Sequence, residues 1–245
     1  MKYLKFFPLV FIAVSCTLYM PQTAPIPMMK EKGELQIDGG ITFLPGIQGS
    51  AAWSPVNHLA VQGHAFTDLG SVQYSQAALG YYNELPKIFR YEVYGGAGFG
   101  DGTYYHPAHG DAYDWEMNNS YNLYFLQLNA GRTAGKKQWF EYGLSLKSGM
   151  MDQNIHHSGY EIDENYNGYQ FNWHYDKKSI LLEPSAFLRF GDEFRIGLQV
   201  NYANIIPLTY KSEFYDYSPF SVAFTMGFRL NTISKKNKPQ ISNPE

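Results

Sequence analysis

Apolar and polar residues alternate with a period of two along most of this chain. The alternation is cleanest over residues 220–231, where six large apolar side chains share one side: Phe220, Val222, Phe224, Met226, Phe228 and Leu230. Residues 194–203 repeat it. Because successive side chains of a β-strand point to opposite faces, this period predicts strands.

Less regular segments of the same kind occur throughout the chain. They cover residues 33–43, 48–53, 58–66, 73–82, 88–99, 121–132, 138–147 and 179–190. Most are close to the 9–11 residues that a tilted membrane strand needs, and none has a convincing helical period. The pattern predicts an all-β fold: an antiparallel up-and-down barrel of about ten strands, with eight to twelve allowed.

The polar side of the strands indicates which face is inside. A soluble barrel would crowd its outer face with Lys and Glu, but this set consists mostly of Gly, Ser, Ala, Gln, Asn and Thr. Its scattered charges form a predicted lumen network: Glu34, Asp38, Arg90, Glu92, Glu141, Lys147, Glu183, Arg189, Arg195 and Arg229. Small polar residues with paired charges suit a narrow lumen, so the apolar set is predicted to face lipid in a transmembrane barrel.

The connections between predicted strands alternate in length. Short ones with turn residues are predicted at 54–57, 84–87, 133–136 and 191–193, and long ones at 100–120, 149–178 and 204–218. Long and short connections therefore segregate to opposite ends. This arrangement is typical of outer-membrane barrels, which have short periplasmic turns and long outer loops.

The N-terminus has the layout of a secretory signal. Lys2 and Lys5 precede an apolar run over residues 6–14, which is too short to cross a bilayer as a helix. The sequence Ala13-Val14-Ser15-Cys16 resembles a bacterial lipobox. That resemblance implies a signal peptide over residues 1–15, cleavage before Cys16, and lipid attachment to Cys16. The alternative is an ordinary cleaved signal followed by an incidental cysteine.

The remaining boundaries follow from composition. Residues 16–32 are rich in proline and predict an extended tether, either in the periplasm or threading the lumen; residues 33–231 form the barrel and 232–245 a polar tail. Charged residues make up 17% of the chain, against about 25% in typical soluble domains. Aromatics also reach 17%, which suits a belt at two lipid–water interfaces. The formal charge of −3 provides no basic footprint, so nucleic acid is not an expected partner.

The chain resembles outer-membrane β-barrel lipoproteins of Bacteroidota. The resemblance is carried by Cys16, by the tether ending Pro-Met-Met-Lys-Glu-Lys-Gly-Glu over residues 27–34, and by the tyrosine-rich strands. It implies a lipid-anchored barrel in the outer membrane of a Gram-negative bacterium, with outer-membrane lipid as a partner and no settled activity. Surface-exported lipoproteins of that group often carry acidic residues after the cysteine. None stands directly after Cys16, so the anchor is expected to face the periplasm.

Two predicted long loops contain candidate metal ligands. His106, His109 and Asp111 could hold a transition metal. Asp163, Asn165 and Asn167, followed by a glycine, match the first half of a calcium loop and could bind Ca²⁺ weakly. The alternative in each case is a polar, turn-rich surface loop, and no other cofactor is predicted.

Three functions remain open from the sequence. The preferred one is non-enzymatic: a structural, accessory or partner-binding role in which aromatic-rich outer loops contact a protein or a glycan. The first alternative is a membrane-embedded hydrolase, whose candidate residues at the outer rim are Asp101, Asp111, Asp114, His106 and His109. The second is a narrow channel for small solutes.

Overall fold

The fold is a single closed antiparallel sheet. The computed structural model describes residues 19, 24–43, 46–68, 70–85, 89–106, 114–134, 139–162, 168–208 and 219–232. The strands are β1 (Glu34–Thr42), β2 (Gly46–Val56), β3 (Leu59–Thr67), β4 (Val72–Leu85), β5 (Phe89–His106), β6 (Asp114–Ala134), β7 (Phe140–Ile162), β8 (Gly168–Phe190), β9 (Phe194–Tyr202), β10 (Asn204–Pro207) and β11 (Phe220–Asn231). No helix among the described residues is long and apolar enough to cross a bilayer.

The strands β1 to β9 pair in sequence order, and the last strand, β11, pairs with both β9 and β1, which closes the ring. β1 pairs with β2 on one side and with β11 on the other, with Ile37 opposite Phe228. β9 and β10 both pair with β8, and only Ala203 separates them, so together they occupy one position in the wall. The predicted ten-strand barrel is therefore confirmed.

The wall is apolar outside and polar inside. On β6, Leu126 is 64% exposed whereas its neighbour Gln127 is fully buried. The same inversion holds on β7 and β11, where Leu144 and Met226 face outward. In water such a surface would be unfavourable, because each apolar side chain costs about 1.5–3 kcal/mol to expose. The distribution is that of a transmembrane barrel.

Two of the three predicted long loops are mostly strand. β5 and β6 pair as far as His106 opposite Trp115, and β7 and β8 as far as Ile162 opposite Gly168. Because β4 begins only at Val72, opposite Gly102, the four strands β5–β8 continue past the outer edge of the neighbouring wall. We call this projecting sheet the outer extension; it comprises residues 103–106, 114–118, 156–162 and 168–174. The loop prediction for 100–120 and 149–178 is wrong because dense polar and aromatic residues on both faces obscured the alternation.

The two ends of the barrel differ as the turn pattern predicts. The described short connections, at residues 57–58 and 191–193, lie at the end where β1 begins and β11 finishes. There, Thr232 N donates a hydrogen bond to Gly33 O (2.8 Å), and Gly33 N donates to Ser54 O (2.7 Å). We call this the inner end; the outer extension lies at the opposite, outer end.

Candidate functional site: the barrel lumen and its N-terminal segment

The structure places the predicted lumen charges on the inner face of the wall. Nine of the ten are buried, and Asp38 is the exception with a side chain 17% exposed. The set contains five acids and five bases, so its formal charges cancel. Charges removed from water are costly unless they are paired and hydrogen-bonded, so their geometry decides whether the lumen is stable.

Glu141 of β7 is the centre of the inner cluster. Four arginines from β5, β8, β9 and β11 approach it: Arg90 Nη1 at 2.8 Å, Arg229 Nη2 at 3.4 Å, and Arg189 Nη1 and Arg195 Nη1 at 3.7 Å each. Two further acids neutralise part of the positive charge: a carboxylate oxygen of Glu34 lies 2.7 Å from Arg229 Nε as an ion pair, and Asp38 accepts a hydrogen bond from Arg195 Nη2 (3.1 Å). The cluster crosslinks strands that are far apart in sequence.

A second cluster lies nearer the outer end. Lys147 Nζ is 2.5 Å from Glu183 Oε2, and both side chains are fully buried. The ammonium also lies over the rings of Tyr74 and Phe125, with distances of 5.5 and 5.7 Å to the ring centroids. Glu183 Oε1 accepts a hydrogen bond from the hydroxyl of Tyr19 (2.6 Å). Tyr19 precedes the barrel by some fifteen residues, so part of the predicted tether lies inside the lumen.

Residues 24–32 form the continuous part of this internal occupant, which we call the lumen segment. Residues 24–29 are all buried, whereas residues 31 and 32 are exposed at the inner end. Ile26 and Met28 pack with Phe187 of β8, and Met29 joins the aromatic cluster around Tyr94. The structure thus places Tyr19 and residues 24–29 of the tether in the lumen, one of the two locations that the sequence left open.

The wall holds the segment chiefly through its backbone carbonyls. Gln199 Nε2 donates to Ala24 O (3.0 Å), Gln127 Nε2 to Pro25 O (2.7 Å) and Arg90 Nη1 to Met28 O (3.0 Å). Arg189 Nη1 donates to Ile26 O, and Met29 N donates to Glu92 Oε1 (2.6 Å). Buried backbone groups need such partners. Pro25 and Pro27 have no N–H, which reduces the number of donors that the lumen must satisfy.

The segment fits closely between opposite walls. A Cβ atom built on Gly131 would lie 2.8 Å from Met28 Cε, so glycine makes room for the methionine. Between the segment and the wall near Gln48 and His64 there is a cavity of about 20 Å³, which is room for about one water molecule. At this level the lumen is packed by the chain itself.

Of the residues that bind the segment, Arg90, Glu92 and Arg189 belong to the predicted lumen network, whereas sequence reasoning did not identify Gln127 and Gln199. Gln127 and Gln199 carry no charge and were absorbed into the general polar set. One signal was available: residues 24–29 contain no charged or polar side chain. An uncharged, apolar tether is better suited to a buried site than to water.

The other candidate chemistry is only partly described by the structure. His106 is the last residue of β5 and pairs with Trp115, and Asp101 lies lower on the same strand, opposite Ser120. Asp114 begins β6. His109, Asp111, Asp163, Asn165 and Asn167 fall outside the described residues, as does Cys16. Within the described ranges no three His, Cys, Asp or Glu side chains cluster closely enough to hold a metal ion.

The outer extension presents aromatic side chains on both of its faces. Tyr105, Tyr160, Tyr169 and Trp173 are each about half exposed. On the face that continues the lumen surface, His157 is enclosed by the rings of Trp115, Phe171 and Trp173, with centroids 4.9–5.6 Å away. Burial, together with the neighbouring His156, lowers the pKa of His157 below its usual range. The extension is therefore an ordered, amphipathic surface.

Comparison with known proteins finds only distant similarity to solved β-barrel structures. No protein-family model matches the chain, and no curated protein matches it either. Several solved structures are similar, three of them as follows. The N-terminal β-barrel domain of Pseudomonas aeruginosa OprF has 12% identity, covers 82% of this chain and 100% of its own, and has a TM-score of 0.28. The translocator domain of the Neisseria meningitidis autotransporter NalP has 10% identity, coverages of 82% and 87%, and a TM-score of 0.27.

The third is OmpT, an outer membrane protein of Vibrio cholerae, with 10% identity, coverages of 83% and 100%, and a TM-score of 0.19. TM-scores this low support no inference about function. The assignment as a membrane-spanning β-barrel rests on the closed sheet and on its apolar outer and polar inner faces, which are observed directly in this structure.

Proposed function

We propose that this chain is a lipid-anchored outer-membrane β-barrel of a Gram-negative bacterium, and that it serves as a non-enzymatic platform for binding a protein or glycan partner. One observation carries the proposal. The lumen is occupied by the chain's own N-terminal segment, while four strands project from one end as an aromatic sheet.

The occupied lumen favours a platform over a conduit. A solute crossing the barrel would have to displace residues 24–29 and break the hydrogen bonds from Gln127, Gln199 and Arg90. It would also pass Glu141 and its four arginines, which already fill the inner end. Both features give the barrel a solid interior, which is what a rigid support needs.

The outer extension has the composition of a recognition surface. Tyr and Trp supply contact area at a low entropic cost, and their polar atoms can pair with a ligand. On the outward face of β7 and β8, His156 forms a hydrogen bond with Asn172 in the extension (2.7 Å), and just below the extension Asn154 donates to Asp176 (3.0 Å). Rigid aromatics beside amide and carboxylate groups match the chemistry of sugar rings and of protein loops.

The proposed outer-membrane location and the proposed lipid anchor are supported by different observations. The outward belt of Leu126, Leu144, Met226 and similar residues requires a hydrocarbon solvent. Short connections at one end and a projecting sheet at the other follow the usual asymmetry of outer-membrane barrels. The lipid is proposed on the strength of the lipobox-like sequence that ends at Cys16.

A binding comparison tests the platform. The detergent-solubilised barrel is applied to a glycan array and, after chemical crosslinking in native membranes, is purified with its partners. The test variant replaces Tyr105, Tyr160 and Trp173 by alanine; the control variant replaces the lipid-facing Tyr81, Tyr124 and Tyr202. We expect the test variant, but not the control, to lose the ligand. A ligand retained equally by both variants would contradict the proposal.

A further inference from the structure

The lumen segment runs through the barrel in a defined direction. Gly33 is fixed at the inner end by its hydrogen bonds with Ser54 and Thr232. The strand β8 ends at Phe190, at the inner end of the barrel. The contacts of the N-terminal residues with β8 therefore show in which direction the chain runs from Gly33. Arg189, one residue from the end of β8, contacts Ile26, and Glu183, six residues farther along, contacts Tyr19. At 3.3 Å per residue, the segment climbs about 20 Å along β8 toward the outer end.

Tyr19 lies level with the outer edge of the apolar belt. Its ring meets that of Tyr121 on β6 edge-on, with centroids 5.5 Å apart. The two outward neighbours of Tyr121 are Ser120 and Asn122, which are exposed and polar. Tyr124, at 60% exposure, is the first large outward aromatic or aliphatic residue below them. Measured on β6, the chain has therefore passed the apolar belt by the time it reaches Tyr19.

Chain length then limits where Cys16 can lie. It lies three positions before Tyr19 in the sequence, and three Cα-to-Cα steps span at most about 11 Å when the chain is fully extended. The inner edge of the belt, near Arg132 on β6, is eleven residues from Tyr121, which is about 36 Å along the strand. Even after allowing for a strand tilt of about 40°, that distance exceeds the reach of the chain.

We infer that the N-terminus leaves the barrel at its outer end, so that acyl chains on Cys16 insert into the outer leaflet of the outer membrane. The inference rests on the proposed lipidation of Cys16 and specifies that the attached lipid lies in the outer leaflet. It is the opposite of the sequence-based expectation of a periplasm-facing anchor. That expectation relied on the residues after Cys16 and not on the path of the chain.

The experiment is a topology test on whole cells. A short epitope is inserted between Thr17 and Leu18, and in a matched control the same epitope follows Thr232, which lies at the inner end. We expect antibody to bind the N-terminal epitope on intact cells and the C-terminal epitope only after permeabilisation. Heat-dependent electrophoretic mobility verifies that each tagged barrel is folded. An N-terminal epitope that needs permeabilisation would overturn the inference.

Fatty-acid labelling separates this inference from the proposed function. Incorporation that is lost in Cys16→Ser, together with a surface epitope, supports both. Incorporation with a periplasmic epitope overturns the outer-leaflet placement and leaves the lipid anchor intact. A surface epitope without incorporation overturns the anchor and, with it, the acyl insertion. If the tagged chain does not fold, Thr17→Lys replaces it, with a membrane-impermeant amine reagent on intact cells and the label located by peptide mass.

Discussion

At the scale of single residues, the buried acidic and basic side chains of the lumen stabilise the barrel because they neutralise one another's charge. Burial of an unpaired ion is among the most expensive changes a fold can sustain, whereas a well-bonded cluster is close to neutral. Glu141 occupies the critical position, because four guanidinium groups converge on it and, among the described residues, a second acid lies within 3.1 Å of only two of them, Arg195 and Arg229. Removing this one negative charge leaves the surplus positive charge in place.

Replacement of Glu141 by glutamine is therefore expected to lower the free energy of unfolding by about 3–5 kcal/mol, as for other buried ion pairs that lose one partner. Urea unfolding in detergent micelles, followed by tryptophan fluorescence, measures it. The control is Asp152→Asn, whose carboxylate is half-exposed and 4.0 Å from Lys178 Nζ; its effect should be at most about 0.5 kcal/mol. Equal effects of the two changes would contradict the role given to Glu141.

At the scale of elements, the lumen segment has no regular secondary structure over residues 24–30 and does not pair with the β-sheet of the wall. Its carbonyls are satisfied by side chains from β5, β6, β8 and β9, so it depends on a barrel that is already assembled around it. Met28 adopts a positive φ of 53°, which is unusual for a residue other than glycine. Such a conformation persists only where the surroundings determine it.

A thiol placed in the segment should be protected from solvent. In a Cys16→Ser background, Ala24→Cys is expected to react with a membrane-impermeant maleimide at least about 100-fold more slowly than Lys32→Cys. The reaction at residue 24 requires local opening, and about 1.4 kcal/mol of opening free energy costs a factor of ten. Residue 32 is exposed at the inner end and reports the unprotected rate. Similar rates at the two positions would show that the segment leaves the lumen readily.

The outer extension should lose local stability in mild acid. The pKa of His157 is lowered by burial and by His156, so the unfolded imidazole, with a pKa of about 6.5, binds a proton that the folded one rejects. Stability therefore rises with pH through the window below about 6.5 and falls as the pH decreases. Hydrogen exchange of residues 154–162 at pH 5.5 and 7.5, corrected for intrinsic rates, should show faster opening at pH 5.5.

Substitution identifies the group responsible for that pH dependence. His157→Phe should abolish it, since the phenyl ring keeps the packing against Trp115 and Phe171 and cannot be protonated. His174→Gln, on the exposed face of β8, should leave it unchanged. If the pH dependence survives in the phenylalanine variant, another group is responsible.

At the scale of the whole molecule, the reversed polarity of the wall makes lipid part of the folded state. Leu126→Arg, in the middle of the apolar belt of β6, is expected to cost about 2–4 kcal/mol in a bilayer. Ser120→Arg lies on the same face of the same strand but beyond the belt, and should cost at most about 1 kcal/mol. Unfolding from lipid vesicles measures both. A protein whose Leu126 faced water would tolerate the two arginines equally.

The sequence by itself determined the features that repeat locally. Alternation at a period of two identifies strands wherever one face meets lipid, because the pleat sorts each residue pair to opposite sides. It therefore predicted the strand over 220–231 and the inward direction of residues such as Glu141 and Lys147. The same logic failed for residues 103–105 and 156–160, which lie beyond the apolar belt and carry polar and aromatic side chains on both faces.

Only the tertiary structure decided what fills the barrel and which way it runs. The partners of Met28 and Tyr19 lie 62 and 164 residues away, and no spacing along the chain encodes those contacts. They arise because closure of β1 on β11 brings inward residues of many strands around one narrow space. The physical reason is the sequence distance over which each feature is decided. Strand formation depends on neighbouring residues, whereas the lumen and the segment inside it exist only after the barrel has closed.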